Sequence, residues 1–301
     1  METAAPALHE VETMERNIRK ALADCGLEPS TMLNALGETH SVISGSLPVA
    51  AMFPNRFKPK DVDIYCPEVE EKHMLEILCD RMDLTLDKRV DVHYPRHLAI
   101  TKILWLSSES AAVNLMIVKG DNAAIAVFQF HSTLVMNILC SRGLYCTYGD
   151  LTFEGEALIN VSHLLDAYTA KRNAKCFEKY EDRGFTFKTK LGDYDRYANH
   201  ECGQNPNCPA TVRTLHDGHS SFYPLTLHIE EERGVEPATK YTAFDGKHSV
   251  AWSLGGPLCG RGNTYHNSFV ASIELFNKTE EDIAGHNLDE LAGLSGRGRA
   301  G

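Results

Sequence analysis

The chain has 301 residues and carries 30 Lys and Arg against 41 Asp and Glu, a formal net charge of −11 with histidine neutral. An acidic chain is a poor candidate for coating a nucleic acid or an anionic membrane through charge alone, so we expect no strong binding to polyanions. The content of 43% hydrophobic and 24% charged residues is typical of a globular protein, and it excludes a disordered or collagen-like chain.

Membrane insertion and secretion are not predicted. No stretch of the sequence approaches about 18 consecutive apolar residues, the length that a transmembrane helix needs. The first residues lack the basic and apolar regions of a secretory signal. The nine cysteines are odd in number and mostly scattered among apolar residues, which indicates reduced thiols. We therefore expect a cytoplasmic or nuclear protein.

Residues 1–40 predict an N-terminal helical segment. Apolar residues recur at helical spacing over 10–24, where Met14, Ile18 and Leu22 share one face, and Gly26 follows as a stop. A shorter helix is predicted over Met32–Leu36.

Residues 41–189 predict the core of an α+β fold, a short mixed β-sheet with helices packed on one side. The predicted strands are Ser41–Ile43, Asp61–Tyr65, Leu98–Leu106 and Ala112–Val118. The predicted helices are Val49–Phe53, Pro67–Asp80, Phe130–Ser141 and Ser162–Asp182.

The periodicity weakens after residue 190, where Asn, Gly, Pro, His and Cys become more frequent. Residues 190–284 therefore predict an irregular, loop-rich extension with a few short strands. Residues 285–301 have too few apolar side chains to form a core, so we expect a disordered tail.

The segment from residue 42 to 64 carries the chemistry. A predicted strand runs into Gly45 and Ser46, where a close backbone approach and free amides suit a phosphate. Asp61 and Asp63 are two residues apart in the next predicted strand, so both carboxylates project from one face and repel each other unless a cation lies between them. Oxygen ligands favour Mg²⁺ or Mn²⁺, which could hold a nucleoside triphosphate. Lys58 and Lys60, with Arg56, precede this strand and are placed to meet phosphates.

This order of motifs resembles the nucleotidyltransferase superfamily, the DNA polymerase β-like group. Gly45 and Ser46 match its glycine-serine element, and Asp61 and Asp63 match its paired metal carboxylates, although the spacer between them is slightly longer. Three further stretches look like a group of fungal proteins of this type to which no function is assigned, and the wider likeness covers roughly residues 40–215. They are Phe57–Asp61, Phe130–Thr133 and Lys179–Gly184. The resemblance implies metal-dependent transfer of a nucleotidyl group from a nucleoside triphosphate to a hydroxyl acceptor that the sequence does not identify.

One position departs from the family pattern. Nucleotidyltransferases usually carry a third carboxylate on a later, neighbouring strand, and here Asn114 occupies the expected place. An amide can ligate a hard cation or form a hydrogen bond with a nucleotide, but it contributes no negative charge and cannot act as a base. Two readings therefore stay open, an active enzyme and an inactive protein of this fold that binds a nucleotide or another protein. The same residues would also fit a plain turn and an exposed strand face.

A second candidate site lies in the predicted extension. His200, Cys202 and Cys208 have metal-ligating side chains at a spacing looser than that of common zinc fingers. His216 is our choice for the fourth ligand of a structural Zn²⁺, and His219 or Cys176 are the alternatives. Two reduced cysteines, or a pair that forms a disulfide on oxidation, are the simpler interpretation of this spacing. A zinc-stabilised adaptor is accordingly a third functional reading.

Three other polar residues are predicted to be structural. His131 lies at the entrance of the predicted helix Phe130–Ser141, where histidine is usually a satisfied structural residue. Lys179 and Arg183 are four residues apart on a predicted helix, and charge pairing on a solvated face is the simpler interpretation.

Overall fold

The computed structural model describes residues 6–92, 99–165, 167–225, 248–259 and 265–274. The helices are α1 (Leu8–Asp24), α2 (Pro29–Glu38), α3 (Ser46–Met52), α4 (Glu71–Glu76), α5 (Ala124–Val127), α6 (Gly149–Thr152) and α7 (Ala167–Glu181). The strands up to residue 158 are β1 (Val42–Ser44), β2 (Val62–Pro67), β3 (Thr85–Asp91), β4 (Ile100–Ser107), β5 (Ala112–Val118), β6 (Asn137–Cys140), β7 (Gly143–Cys146) and β8 (Glu156–Leu158). The later strands are β9 (Thr186–Lys188), β10 (Arg213–Thr214), β11 (Ser221–Pro224), β12 (His248–Ser253), β13 (Gly256–Pro257), β14 (Tyr265–His266) and β15 (Phe269–Glu274).

The N-terminal helices follow from the sequence pattern. In α1 the apolar positions Met14, Ile18 and Leu22 are buried, as the helical spacing predicts. Helix α2 begins three residues earlier than predicted because Pro29 fits its first turn and the side chain of Glu28 accepts hydrogen bonds from the backbone N–H groups of Ser30 and Thr31.

The largest sheet has eight strands in the order β11-β7-β6-β1-β2-β5-β4-β3. Only the β2–β5 pair in it is parallel, so the sheet is mixed and the α+β class is confirmed at that level. In the parallel pair, Asp63 of β2 lies beside Asn114 of β5 in register.

Both faces of this sheet are covered, whereas helices on one side were predicted. Alternate strand residues point into two cores: Ile43 and Ile64 pack with α1, α2 and α4, while Val42 and Tyr65 pack with α5, α6 and residues of the extension. The extension therefore completes the second core, with Val250 and Trp252 buried in it.

The predicted helix Phe130–Ser141 is wrong. This segment contains a short 3₁₀ turn at Thr133–Val135 and then β6, which pairs with β1 on one side and β7 on the other. All four residues of β6 are buried, so its apolar run does not alternate, and periodicity cannot separate such a central strand from a buried helix.

Two other predicted helices are broken. Residues 67–80 form a 3₁₀ turn, the short α4 and a π-helical turn at Ile77–Arg81. Residues 162–182 form a 3₁₀ turn at Val161–Leu164 followed by α7.

The extension contains more pairing than its sequence indicates. Strand β11 joins the large sheet beside β7, and β10, β12 and β15 form a three-stranded antiparallel sheet. The predicted tail at 285–301 lies outside the described residues. None of the helices in the described ranges combines the length and the apolarity needed to cross a membrane.

Candidate functional site

Asp61, Asp63 and Asn114 come together at the start of the parallel pair β2–β5. The side-chain Nδ2 of Asn114 donates hydrogen bonds to Oδ2 of Asp61 at 3.0 Å and to Oδ1 of Asp63 at 2.9 Å. The amide thus lies between the two carboxylates, where its N–H groups relieve their repulsion. The strand pattern predicts that the two aspartates share a face, and the register of β5 brings the amide between them.

The electrostatics of the site are centred on Asp63. The pKa of its carboxyl group is raised to about 6, mainly because burial makes a charge costly to hold away from water, and the negative charge of Asp61 acts in the same direction. The hydrogen bond from Asn114 and the positive charge of Lys179 act in the opposite direction on this pKa. A cation bound beside Asp63 would favour its charged form for the same reason that Lys179 does.

Gly45 forms one wall of the site. Its φ of +72° lies in the region that glycine adopts readily, and a Cβ at this position would lie 2.7 Å from Oδ2 of Asp63. Ser46 begins α3 and is partly exposed. Ser44 is buried, with its hydroxyl within hydrogen-bond distance of two backbone carbonyls contributed by Val135 and Asn137, so it anchors β1 and is not placed as a nucleophile.

Two of the three cations predicted before β2 have other partners in this conformation. Lys58 Nζ lies 3.8 Å from Oδ2 of Asp24 on α1, and Lys60 is exposed in the loop. Arg56 donates to the backbone oxygen of Gly184 at 2.9 Å and lies over the rings of Phe53 and Phe185, so it has a structural role.

Helix α7 places one cation near the carboxylates. Lys179 is exposed and near enough to Asp63 to lower the pKa of that carboxyl group. The guanidinium of Arg183, just after the helix, lies 3.9 Å from the centre of the Phe57 ring, and its Nη1 is buried with no hydrogen-bond partner within the described part of the chain. The four-residue spacing of Lys179 and Arg183 was visible in the sequence, but the strand face opposite them was not.

His131 lies between the sheet and α7. Its ring contacts Phe177 edge-on at 5.1 Å, and its Nδ1 is buried without a partner among the described residues. The pKa of His131 is lowered to about 3, mainly by burial and also by the charges of His163, Lys179 and Arg172, so the imidazole is neutral at pH 7. It can therefore exchange a hydrogen bond with a ligand but does not bring a positive charge.

The second candidate site takes shape in part. His200 and Cys208 are brought together, Cys202 and His216 lie outside the group, and Cys259 is a new member. Ligand atoms of His200, Cys208 and Cys259 all lie within 4.8 Å of one another. His216 is not part of this group, although it was our choice for the fourth ligand, because the turn after β13 brings Cys259 to the position instead. Cys259 lies 51 residues beyond Cys208, too far for spacing to reveal it.

Neither a known protein-family model, nor a curated protein, nor a solved structure matches the chain.

The donor set fits a hard divalent cation in part. Two carboxylates and one amide offer oxygen atoms, the ligand type that Mg²⁺ and Mn²⁺ prefer. In the described ranges no third acidic, His or Cys ligand atom joins Asp61 and Asp63 within 4.8 Å. Asn114 would have to turn its Oδ1 toward the cation, a rotation that exchanges the two ends of the amide.

Proposed function

We propose that this protein binds a nucleoside triphosphate with Mg²⁺ or Mn²⁺ at Asp61 and Asp63 and transfers its nucleotidyl group to a hydroxyl acceptor. The observation that carries the proposal is the bridging of both carboxylates by the Asn114 amide, where a cation would otherwise relieve their repulsion. Helix α7 supports it, because the charge of Lys179 acts on Asp63, and Arg183, four residues later, has one guanidinium nitrogen unsatisfied in the described structure.

The residues of this chain would act by holding charge and position. Asp61 and Asp63, with the Oδ1 of Asn114, would hold the cation, which supplies charge neutralisation to the phosphates. Lys179 and Arg183 would contact phosphate oxygens from the opposite side, and the Gly45 turn would admit the phosphates close to Asp63. The acceptor hydroxyl would form its bond to the α-phosphorus and release its proton to solvent water while the bond to pyrophosphate breaks, a displacement that depends on positioning and charge neutralisation.

Asn114 favours a second candidate function, nucleotide binding without transfer. An amide at this position adds no negative charge for a second cation and cannot take a proton from the acceptor. The Asn114→Asp variant separates the two candidates. If the wild type binds the nucleotide without transferring it, the Asn114→Asp variant should gain pyrophosphate release. Robust pyrophosphate release by the wild type would remove the binding-only candidate.

Calorimetry with a non-hydrolysable nucleoside triphosphate and Mg²⁺ tests the binding site. We expect saturable, Mg²⁺-dependent binding by the wild type and at least about a tenfold loss of affinity in Asp61→Asn and Asp63→Asn. Asp87→Asn is the matched control, since Asp87 is exposed on the edge strand β3. Equal binding by all four proteins would refute the assignment of the two carboxylates.

A further inference from the structure

The thiol cluster of the extension, His200, Cys202, Cys208 and Cys259, is separate from the aspartate site and is not used by the proposed function. His200 and Cys202 follow a 3₁₀ turn at Asp195–Tyr197, Cys208 ends the next loop, and Cys259 follows β13. We propose that these four side chains bind one structural Zn²⁺ ion, with a Cys₃His ligand set.

The distances between ligand atoms fit a tetrahedral ion. The Sγ atoms of Cys208 and Cys259 are 3.7 Å apart, and Nε2 of His200 is 3.2 Å from Sγ of Cys259. Two thiolates on a tetrahedral Zn²⁺ with bonds of about 2.3 Å are about 3.8 Å apart, and a thiolate and an imidazole nitrogen about 3.5 Å. All three cysteines are free thiols.

The orientation of His200 is a second, independent indication. Its Nδ1 lies 2.8 Å from the backbone oxygen of Tyr197, so the proton sits on Nδ1 and Nε2 faces the thiols with its lone pair. Histidines that bind metals usually make this kind of hydrogen bond through the other ring nitrogen, because it fixes the tautomer and the direction of the ring.

We assign Cys202 as the fourth ligand. Its Sγ is not among the ligand atoms that lie within 4.8 Å of one another, so its side chain would have to turn toward the other three to bind the ion. Its side chain is partly buried beside that of Cys259, and both pack at the edge of the second core. The loop from 202 to 208 is held by hydrogen bonds from the N–H groups of Gln204 and Asn205 to the Glu201 oxygen and from the Cys208 N–H to the Asn205 oxygen. Four protein ligands leave no open position, which is typical of structural zinc.

Zinc at this cluster would hold two distant parts of the extension together. Cys208 and Cys259 are separated by 51 residues. A metal that closes a long loop removes more conformational entropy from the unfolded chain than one that closes a short loop. The free energy of zinc binding then contributes to the stability of the folded extension, because the unfolded chain has no preformed site.

Metal analysis of protein purified under reducing conditions, without chelators, tests the site. We expect stoichiometric zinc in the wild type, and a loss of zinc in His200→Gln, Cys208→Ser and Cys259→Ser. Cys79→Ser and His216→Gln are the matched controls, since neither side chain belongs to the cluster, and both should keep zinc. Asp61→Asn should also keep zinc, which separates this proposal from the proposed function.

Cobalt reconstitution keeps the test valid if the cluster variants do not fold. Wild-type protein that has exchanged zinc for Co²⁺ should show thiolate charge-transfer bands and the intense d–d bands of a tetrahedral ion, and chelation should lower its thermal midpoint. Reduced wild-type protein that neither contains zinc nor takes up Zn²⁺ or Co²⁺ would overturn the proposal. A native disulfide between Cys208 and Cys259 in metal-free protein would overturn it as well.

Discussion

At the scale of single residues, the aspartate site depends on the absence of a side chain at position 45. Oδ2 of Asp63 occupies the space that a Cβ of residue 45 would fill, so the carboxylate and the chain of the β1–α3 turn are packed against each other. The bridging amide of Asn114 holds the same carboxylate from the other side through Oδ1. Asp63 is therefore fixed before any ligand binds, which reduces the entropy lost when one does.

Gly45→Ala tests this packing, and Gly120→Ala is its control. Both glycines have positive φ, +72° and +85°, but a Cβ at Gly120 meets nothing within 4 Å in the described structure. Gly120→Ala should lose only the backbone term, about 1–2 kcal/mol in the free energy of unfolding. Gly45→Ala should lose more than that and should also weaken Mg²⁺-dependent nucleotide binding. Equal losses in urea unfolding, with unchanged nucleotide binding, would contradict the role given to Gly45.

His131 makes the folded protein sensitive to acid. The pKa of this imidazole is about 3 in the folded state because of burial, against about 6.5 in an unfolded chain. Below about pH 6.5 the unfolded state binds more protons at this residue, so its contribution to stability is complete above that pH and is lost as the pH falls toward 3.

Urea unfolding between pH 7 and pH 4.5 should therefore show a smaller decline in the free energy of unfolding for His131→Asn than for the wild type. His9→Asn, at an exposed position of α1, is the control and should keep the wild-type slope. Parallel slopes in all three proteins would show that His131 is not a neutral buried group.

At the scale of elements, the periodicity of the sequence predicted those features that depend on a single strand or helix. The two-residue repeat of an extended chain predicted that Asp61 and Asp63 share a face, and both reach the Asn114 amide although β2 begins only at Val62. The buried stripe of α1 follows from its helical repeat. The strand β6 was missed because a strand buried on both faces has no alternation. The proximity of Lys179 to Asp63 was not predicted, because it depends on how α7 packs against the sheet, a property of tertiary structure that no single segment encodes.

If Lys179 and Arg183 contact the phosphates as proposed, substitutions at the C-terminal end of α7 should weaken nucleotide binding more than a substitution earlier in the helix. Lys179→Ala and Arg183→Ala should each weaken binding of the nucleoside triphosphate about tenfold, because a hydrogen bond to a charged group contributes about 1.5–3 kcal/mol. Lys175→Ala is the matched control, an exposed lysine of the same helix to which the structure gives no contact with the site. Affinity is read by calorimetry, and a uniform loss in all three variants would indicate a general charge effect. The salt dependence of the nucleotide affinity should also decrease in Lys179→Ala and Arg183→Ala but not in Lys175→Ala.

At the scale of the whole molecule, the extension is part of the core and not a separate appendage. Trp252 is fully buried, stacks on Phe128 with ring centres 3.8 Å apart, and donates from Nε1 to the Tyr148 hydroxyl at 2.9 Å. Arg213 is buried beside Trp252. It forms an ion pair with Asp217, and its guanidinium lies over the rings of Tyr148 and Trp252. The composition of the extension predicted irregular structure, and the hydrogen bonds from Arg213 to Thr147 and from Trp252 to Tyr148 that tie it to the sheet join partners more than 60 residues apart.

This continuity predicts one cooperative unfolding transition, which the two tryptophans can report. Trp252 lies in the second core and Trp105 on β4 of the large sheet, and they are the only tryptophans in the chain. In Trp105→Phe the fluorescence of Trp252 should change at the same urea concentration as the far-UV circular dichroism, because the buried rings cannot separate from the sheet without exposing its second face. Trp252→Phe should be less stable, since it loses the hydrogen bond to Tyr148, yet the fluorescence of Trp105 and the circular dichroism should still coincide. If Trp252 reports an earlier transition than the circular dichroism, the extension unfolds by itself and the two faces of the sheet are independent in stability.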